Sequence, residues 1–358
     1  MSSGFAGNSR GLALTLAAMR ALTITRYGGP EVLKVRELAT PTPKSGEVLI
    51  RVARAGLNFS DIAARQNLYP DAPKAPMVMG YEVSGTVEQA GPGTTRFKTG
   101  DRVSAMCRFN GQASHVVVPE GQLTVLPSQM TFDEAAALPV NYLTAFHILF
   151  HVGQLRPGDK VLVHMAAGGV GQSAIQLCRT VEGVEIFGTA SAKKHDALRA
   201  AGVQHPIDYH SKDYAQEVMR MTGGKGVQWV LDPLGGADWN KGYNLLAPSG
   251  RLAAYGWANM ISGTRRNVFH IAKEFLGLKR YSPMKLMSEN RCVFGVNMGN
   301  MWGEAELIGR HLDTLMKLYT EGKIRPVVDS VFPLEKGADA HRYVQERRNV
   351  GKVLFNCE

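Results

Sequence analysis

Paired cysteines and long apolar runs are both missing from this chain of 358 residues. It has four cysteines, which lie far apart and form no C-x-x-C motif: Cys107, Cys178, Cys292 and Cys357. This spacing supports neither a disulfide framework nor a zinc site built from cysteines. No apolar run approaches the roughly 18 to 20 residues that a membrane-spanning helix needs, so we expect any membrane contact to be peripheral.

Nucleic-acid-binding motifs are also absent, although the chain carries a formal net charge of +10. Most of this charge is spread along the sequence, but between positions 263 and 291 seven basic residues face only Glu274 and Glu289. The basic residues of this cluster are Arg265, Arg266, Lys273, Lys279, Arg280, Lys285 and Arg291. Without an accompanying motif, the cluster favours a solvated face over nucleic-acid binding.

The composition is that of an ordinary globular protein, with 44% hydrophobic and 20% charged residues. A chain of this length can form two domains with their own cores. Residues 1–18 join a polar start to a short apolar piece, and too few charges precede that piece for a secretory signal. We therefore predict that residues 1–18 are a disordered extension or result from an upstream start codon. We also predict a cytoplasmic location, with peripheral membrane association left open.

The periodicity of the sequence changes along the chain. From residue 19 to about residue 126, short strand-like segments are separated by Gly, Pro and Asp turns, which predicts a small β-barrel. Residues 138–152 show a helical pattern, and from residue 160 strand-like and helix-like segments alternate, which predicts a doubly wound parallel sheet. A polar, basic and helical insertion follows at residues 258–290, and we expect the C-terminal segments to rejoin the barrel.

The segment from Lys160 to Leu177 combines a strand pattern, a glycine turn and a helix pattern. Its turn has Ala in place of the first glycine of the usual dinucleotide fingerprint. Such a turn lets a pyrophosphate lie against backbone N–H groups at the positive end of the helix. The motif also fits an ordinary glycine-rich turn, so its context has to decide. The candidate cofactor contacts in the turn are Ala166, Gly168, Gly169, Val170 and Gly171.

The end of the second strand in such a unit selects between two nicotinamide dinucleotides. An acidic residue there hydrogen-bonds the ribose 2′-hydroxyl of NAD, whereas a basic residue accommodates the 2′-phosphate of NADP. Here the segment from Gly188 to Lys194 contains no carboxylate and offers Ser191, Lys193 and Lys194. This favours NADP, although lysines are also common at a solvated helix start.

Several motifs in a fixed order carry a family resemblance over residues 19–355. They read GLNFSD, LYP, GDRV, AAALPVNYLTA, VLVHMAAGGVGQ, GTASAKKH, IDY, LDPLGG and NVGKVL. In this order they resemble the zinc-free quinone oxidoreductases of the medium-chain dehydrogenase/reductase superfamily. Within it, the VNYLTA, HMAAGGVG and KGYNLL motifs and the basic insertion are most similar to the vesicle amine transport protein homologues.

The resemblance implies an α/β protein with two domains, NADPH as cofactor and a homodimer. A GroES-like β-barrel catalytic domain would comprise residues 19–136 and 291–358. A Rossmann domain, with a doubly wound parallel sheet that binds NADP, would comprise residues 137–290, including the basic insertion. A small molecule is the expected substrate.

Sister families of this superfamily bind a catalytic zinc ion through Cys, His and Glu ligands. This chain has the cysteine-free segment ARAGLNFSD where those families carry a ligand cysteine, and Tyr81 precedes Glu82 where they carry histidine before glutamate. The four-cysteine structural lobe of those families is missing as well. We therefore predict an enzyme without a metal.

Hydride delivery to an enone or quinone creates an oxyanion that must be stabilised and protonated. Asn58 matches a family position near the nicotinamide and can donate a hydrogen bond from its amide. Tyr69 matches the position of a proposed proton donor in related enoyl reductases. Each also has a structural interpretation, since Asn58 fits an ordinary turn and Tyr69 fits a half-buried tyrosine before a loop.

Further cofactor-binding candidates follow from the resemblance alone. Tyr209 and Phe294 also fit structural roles, as a strand cap and a core residue. The candidates are Thr144 beside the nicotinamide, Tyr209 near the 2′-phosphate, Gly235 and Tyr255 at sheet ends, Phe294, Gly295 and Val296 along the nicotinamide, and Lys352.

Three functions fit these observations. The first is NADPH-dependent reduction of quinones or other α,β-unsaturated carbonyl compounds, and the second is reduction of an enoyl thioester. The third is binding at a vesicle or organelle surface, with NADPH as a regulatory ligand and the basic insertion as the contact with lipid or a partner. A fold resemblance alone does not choose among them.

Overall fold

The computed structural model describes residues 18–358 of the chain. The predicted disordered extension, residues 1–18, lies outside the described residues apart from Ala18. This residue opens the first strand and pairs with Ala39, so the predicted boundary is one residue too late.

Within residues 18–358, sixteen strands form three sheets. In chain order the strands are β1 (Ala18–Ile24), β2 (Lys34–Ala39), β3 (Glu47–Leu57), β4 (Met77–Val78), β5 (Glu82–Ala90), β6 (Arg102–Met106), β7 (His115–Pro119), β8 (Leu123–Val125), β9 (Lys160–Val163), β10 (Glu185–Ala190), β11 (His205–Asp208), β12 (Val227–Asp232), β13 (Leu246–Ala254), β14 (Cys292–Gly295), β15 (Val328–Pro333) and β16 (Lys352–Asn356).

The same residues form eleven α-helices, and a π-helix, His147–Val152, continues the third of them. The α-helices are α1 (Phe59–Arg65), α2 (Phe132–Ala137), α3 (Pro139–Phe146), α4 (Gly169–Cys178), α5 (His195–Ala201), α6 (Tyr214–Met221), α7 (Ala237–Asn244), α8 (Val268–Leu276), α9 (Pro283–Glu289), α10 (Ala305–Thr320) and α11 (Gly337–Gln345).

Both ends of the chain contribute to a mainly antiparallel half. Its larger sheet has the order β15-β16-β3-β5-β6-β8, with β7 also paired to β3. The C-terminal strand β16 runs antiparallel to β3, with Phe355 opposite Ala55 and both residues fully buried. A smaller sheet, β2-β1-β4, completes this half.

The middle of the chain forms a parallel sheet of order β11-β10-β9-β12-β13-β14. Its central strand β9 buries Val161, Leu162 and Val163 completely, because helices cover both faces of the sheet. The order corresponds to 3-2-1-4-5-6, the doubly wound arrangement that binds dinucleotides at the point where the order reverses. The predicted fold class is confirmed.

One predicted boundary differs from the structure. The division at residue 291 would place residues 292–295 in the catalytic domain, yet β14 pairs in parallel with β13, with Val293 opposite Leu252. The basic insertion interrupts the alternation of strands and helices just before β14. It therefore looks like a domain end in the sequence, although the last strand of the parallel sheet follows it.

The basic insertion forms two short helices that bury none of their residues, α8 and α9. Exposed apolar side chains accompany its positive charges, as the exposed fractions of Phe269 (91%) and Leu276 (89%) illustrate. None of the helices in the part of the chain that the structure describes is long and apolar enough to cross a membrane.

Three histidine rings pack together where α10 meets the π-helix. The ring centroids of His147 and His151 are 4.7 Å apart, and His311 lies 4.9 Å from His151. Burial, with His151 and His147 adding, lowers the pKa of His311 to about 4, and burial also lowers the pKa of His147. His147 and His311 are therefore neutral in the folded protein at neutral pH.

We expect the protein to lose stability as the pH falls from about 6.5 to about 4. Over that range the histidines of the unfolded chain bind protons, whereas the buried rings of the folded protein stay unprotonated. For His311, a pKa lowered from 6.5 to about 4 corresponds to a loss of about 3 kcal/mol in the free energy of unfolding. Melting temperatures across this range should fall less steeply for His311→Phe, which keeps an aromatic ring. The control His210→Phe removes an exposed histidine. Equal slopes for His311→Phe and the wild type would contradict the assignment.

Candidate active site

A cavity of about 920 Å³ lies between the parallel sheet and the antiparallel half. The predicted site residues at its wall come from both halves, so the fold brings together positions that are far apart in sequence. They are Asn58, Tyr69, Thr144, Gly168, Gly169, Val170, Gly171, Ser191, Lys194, Tyr209, Tyr255, Gly295, Val296 and Lys352.

The structure places four predicted residues away from the cavity wall. Ala166 is fully buried behind the turn, where its N–H donates to the Thr189 carbonyl. The Lys193 side chain is exposed to solvent. The N–H of Gly235 donates to the Asp232 carboxylate, so this glycine serves the turn after β12. Phe294 packs edge-on against Trp229, with ring centroids 6.4 Å apart, because its side chain points into the sheet core.

The glycine turn between β9 and α4 leaves no space for side chains. A Cβ on Gly171 would lie 2.6 Å from the Met165 carbonyl oxygen, and a Cβ on Gly169 would lie 2.5 Å from the Asn141 amide. Gly168 precedes α4 and brings no side-chain cap to the helix end. The backbone N–H groups of the first turn are thus available to an anion.

The chain returns to this turn just before β16. The N–H of Gly351 donates to the Ala167 carbonyl at 2.8 Å, and Gly351 forms a parallel bridge with Gly168. Gly351 has φ +94, and a Cβ here would collide with the Val327 carbonyl, so only glycine suits the position. This contact fixes Lys352 beside the turn.

One end of the cavity is basic. Lys194 is 8% exposed, and its ammonium donates to the Arg347 and Asn349 carbonyls at 2.7 and 2.6 Å. Burial, with Lys193 adding, lowers the pKa of Lys194. The Arg347 guanidinium lies 5.8 Å from the centroid of the Tyr209 ring. Together these groups can bind a phosphate.

Arg347 is a residue that the sequence interpretation missed. It lies in a turn after α11, with φ 53, far from the strand end that was searched for cofactor selectivity. Among the described residues that line the cavity, the only carboxylate belongs to Asp71, which hydrogen-bonds Asn297 instead. The basic end therefore carries no negative side chain at its wall.

A buried polar cluster lies at the ends of β3 and β16. The Asn58 amide donates to Glu82 Oε1 at 2.8 Å, and its Oδ1 accepts from Lys352 Nζ at 2.6 Å. Lys352 also forms an ion pair with Glu82, whose other oxygen accepts from the Val140 N–H at 2.7 Å. These contacts orient the Asn58 side chain and leave its second amide N–H for a ligand.

Asp61 supports the cluster from behind. Its carboxylate accepts hydrogen bonds from the backbone N–H groups of Asn58 and Gly80 and from the Gln112 amide. Complete burial raises the pKa of Asp61 to about 7, against the opposing effects of those N–H groups and of Lys352. Asp61 does not line the cavity, so we assign it a structural role.

Tyr69 lines the cavity on the antiparallel side. Its hydroxyl donates to Asn297 Oδ1 at 3.1 Å, and its ring meets Tyr81 edge-on at 5.8 Å. Burial, with Asp71 adding, raises the pKa of Tyr69 to about 12. The hydroxyl is therefore protonated at neutral pH, but its proton is already shared with Asn297.

The wall between Tyr69 and the glycine turn is largely apolar. Apolar side chains from the segment after β14 and from residues 68–81 form this wall together. They are Met298, Met301 and Trp302 from the first and Leu68, Pro70 and Tyr81 from the second. A flat, largely apolar molecule fits such a wall, and the sequence offered no motif that marks it.

Zinc-dependent sister families bind their metal ion near the positions of Asn58 and Glu82, and the residues of this chain do not suit a metal ion there. Both Glu82 oxygens already accept hydrogen bonds, and the Lys352 ammonium balances the carboxylate charge. Residues 18–358 contain no group of three His, Cys, Asp or Glu side chains that could hold a metal ion. No metal-dependent step is derived for this site.

We expect catalytic activity to survive exhaustive treatment with a chelator, because the donor set is satisfied by protein groups. Elemental analysis of the purified protein should find no stoichiometric zinc. The control is a zinc-dependent alcohol dehydrogenase treated in parallel, which should lose activity. One zinc ion held tightly per chain would contradict this prediction.

Two family models match the chain. The model described as "Alcohol dehydrogenase GroES-like domain" matches residues 44–145, and the model described as "Zinc-binding dehydrogenase" matches residues 201–354. The first covers much of the antiparallel half, and the second covers most of the parallel sheet and the return to β16.

The chain is similar to solved structures over most of its length. The human synaptic vesicle membrane protein VAT-1 homolog-like protein superposes with a TM-score of 0.83 at 38% identity, covering 95% of this chain and 98% of that one. The CurK enoyl reductase gives 0.80 at 29% identity, covering 94% and 99%. The Escherichia coli quinone oxidoreductase complexed with NADPH gives 0.81 at 26% identity, covering 94% and 99%.

Curated relatives agree with this similarity. The synaptic vesicle membrane protein VAT-1 homolog of Rattus norvegicus is 47% identical over 339 residues, which cover 94% of this chain and 84% of the relative. The human quinone oxidoreductase is 30% identical over 91% of this chain and 94% of its own length. The chain therefore belongs to the zinc-free quinone oxidoreductase branch of the medium-chain dehydrogenase/reductase superfamily, close to the VAT-1 homologs.

Proposed function

We propose that this protein is an NADPH-dependent, metal-free oxidoreductase that reduces quinones or other α,β-unsaturated carbonyl compounds. The observation that carries the proposal is a single cavity with two different parts. The glycine turn and the basic cluster line one part, and Asn58 and Lys352, which Glu82 holds from behind, line another part next to the turn. A dinucleotide can extend along the turn while a small substrate occupies the apolar part.

Several features support NADPH as the cofactor. A Cβ on Gly169 would collide with the Asn141 amide and one on Gly171 with the Met165 carbonyl oxygen, so only glycine keeps the tight turn whose backbone N–H groups can bind a pyrophosphate. Lys194 and Arg347 provide positive charge for a 2′-phosphate, and no carboxylate is there to favour a 2′-hydroxyl. The similar Escherichia coli enzyme was solved with NADPH. When bound, this cofactor supplies the hydride.

The protein residues would align the substrate and stabilise charge. The second N–H of Asn58 can hydrogen-bond an oxygen that becomes negative, and Glu82 and Lys352 hold the amide in place beforehand. The apolar wall formed by Met298 and Trp302 excludes water, which strengthens these contacts. Tyr69 borders the same space, but its hydroxyl already donates to Asn297 Oδ1, so its predicted role as a proton donor stays a prediction.

The proposal is tested by measuring NADPH oxidation against quinones, enones and enoyl thioesters. We expect turnover with at least one quinone or enone, and slower turnover with NADH than with NADPH. Turnover limited to enoyl thioesters would favour the alternative, enoyl-thioester reduction, which the similarity to the CurK enoyl reductase supports. Failure to oxidise NADPH with every compound would contradict both.

A second candidate function is peripheral contact with a membrane surface. The insertion combines exposed apolar side chains, Phe269 and Leu276, with the basic cluster described above, and neither α8 nor α9 buries a residue. Apolar insertion together with attraction to anionic headgroups is how interfacial helices bind. In this function NADPH would be a ligand that regulates binding to the membrane.

A homodimer also stays a proposal, which light scattering of the purified protein can test.

If the insertion contacts a membrane, the protein should bind liposomes that contain anionic lipid and should be released by raised salt, since salt screens the attraction. Phe269→Ser with Leu276→Ser should weaken binding. The control Val125→Ser changes a valine that is 52% exposed in the antiparallel half. Equal liposome binding by wild type, double variant and control would show that the insertion is only a solvated surface.

A further inference from the structure

Glu82 and Lys352 form a buried ion pair, and Lys352 lines the cavity. Glu82 is fully buried and Lys352 is only 3% exposed. Removing two charges from water is costly, and a buried ion pair is often no more stable than apolar residues of the same volume. Stability alone therefore leaves the presence of this pair unexplained.

One N–H group of the Lys352 ammonium has no acceptor among the described residues. An ammonium carries three N–H groups. Two of them go to Glu82 and to Asn58 Oδ1, and no other residue in the range 18–358 accepts the third. Because Lys352 lines the cavity, this third N–H is available to a bound molecule.

The backbone fixes where this donor lies. Val353 pairs with Leu57 in antiparallel register. Lys352, the first residue of β16, therefore lies beside Asn58, the residue that follows β3. On its other side, Lys352 follows Gly351, which is bound to the glycine turn. The ammonium is thus held between the turn and the Asn58 amide.

We propose that the Lys352 ammonium hydrogen-bonds the carbonyl oxygen of the substrate and transfers its proton to that oxygen during reduction. This inference rests on the proposed function. It makes Lys352 a catalytic residue, with Glu82 as the positioning residue that balances its charge. The substrate class that the site would take is a carbonyl compound that accumulates negative charge on oxygen.

Hydride bonds to the β-carbon of the substrate, the π pair of the C=C bond forms a double bond to the carbonyl carbon, and the π pair of the carbonyl group moves to its oxygen. An N–H bond of Lys352 breaks as the O–H bond forms, which leaves a neutral amine and an enol. The enol from an enone tautomerises to the saturated ketone, and the enol from a quinone tautomerises to the hydroquinone. The amine regains a proton from water after the product leaves the cavity.

A double variant separates the proposed proton transfer by Lys352 from its role in balancing the charge of Glu82. Lys352→Met alone leaves the Glu82 carboxylate buried without a cation, which is strongly destabilising, so the informative variant adds Glu82→Gln. In the double variant, the glutamine oxygen can accept from the Val140 N–H, and its amide can donate to Asn58 Oδ1. We expect a melting temperature and an NADPH dissociation constant near those of the wild type, with turnover lower by about 10²- to 10³-fold. Wild-type turnover in the double variant would overturn the proposal.

A second measurement does not depend on turnover. With oxidised cofactor present, para-nitrophenol serves as an analogue of the oxyanion, because its absorbance reports ionisation. At one pH, the bound phenol should be more ionised on the wild type than on the double variant, and Tyr69→Phe should resemble the wild type. Equal ionisation on the wild type and the double variant would overturn the role of Lys352. A wild type that ionises the phenol but reduces no carbonyl compound would contradict the proposed function instead.

Discussion

Asn58→Ala is expected to lower turnover on the best substrate by about 10²- to 10³-fold, the usual effect of removing one oxyanion donor. The amide is held by Glu82 and Lys352 before any ligand arrives, so its donor needs no reorganisation during the reaction. NADPH affinity should change little, because the side chain lies away from the basic end of the cavity. Steady-state kinetics and an NADPH titration measure the two effects separately.

The control for Asn58→Ala is Gln112→Met. Gln112 is fully buried in the same cluster and donates to Asp61 and to the Gly56 carbonyl, but it does not line the cavity. Both variants should be somewhat less stable than the wild type. If they lose turnover to the same extent, Asn58 acts by supporting the fold and the catalytic assignment is wrong.

Arg347→Gln is expected to weaken NADPH binding by about ten-fold while leaving NADH binding unchanged. A charge-assisted hydrogen bond contributes about 1.5 to 3 kcal/mol, and the lower end applies to a side chain exposed at the rim. About 1.4 kcal/mol corresponds to a factor of ten in the dissociation constant. Titrations of both cofactors, followed by fluorescence, measure the difference directly.

The matched control is Arg348→Gln. Arg348 is the next residue, is also exposed, and packs over the Tyr343 ring at 4.6 Å rather than facing the cavity. It removes the same charge from the same turn, so it reports any nonspecific electrostatic effect. Equal losses of NADPH affinity in the two variants, or wild-type affinity in Arg347→Gln, would contradict the assigned phosphate site.

Features that depend on local pattern could be predicted from the sequence. The apolar run of β9, the glycines before α4 and the helical spacing that follows specify a strand, a turn and a helix without knowledge of the rest of the chain. The absence of a carboxylate after β10 also pointed to the basic end, where Lys194 lies at the wall. The neighbouring Lys193 illustrates the limit, because the sequence offers both lysines and only the helix start determines which one faces inward.

Features that depend on distant pairing could not be derived from local pattern. Asn58 and Lys352 are 294 residues apart, and their contact exists because β16 returns to β3. The resemblance placed both near the cofactor, but not their ion-paired cluster with Glu82. No sequence motif marked Arg347 either, because this residue lies in a turn after α11, far along the chain from Lys194, and only the fold brings it to the basic end of the cavity. The division at residue 291 failed because the insertion conceals that β14 still belongs to the parallel sheet.

The most direct test of the account follows the transferred hydrogen. The protein is mixed with NADPH that carries two deuterium atoms at C4 of the nicotinamide and with the enone that is turned over fastest, and the product is analysed by mass spectrometry and NMR. We expect one deuterium at the β-carbon, where it does not exchange with water, and a solvent hydrogen acquired through oxygen. Reduced enone without deuterium, or cofactor that binds but transfers no deuterium to any enone, would contradict hydride transfer in this cavity.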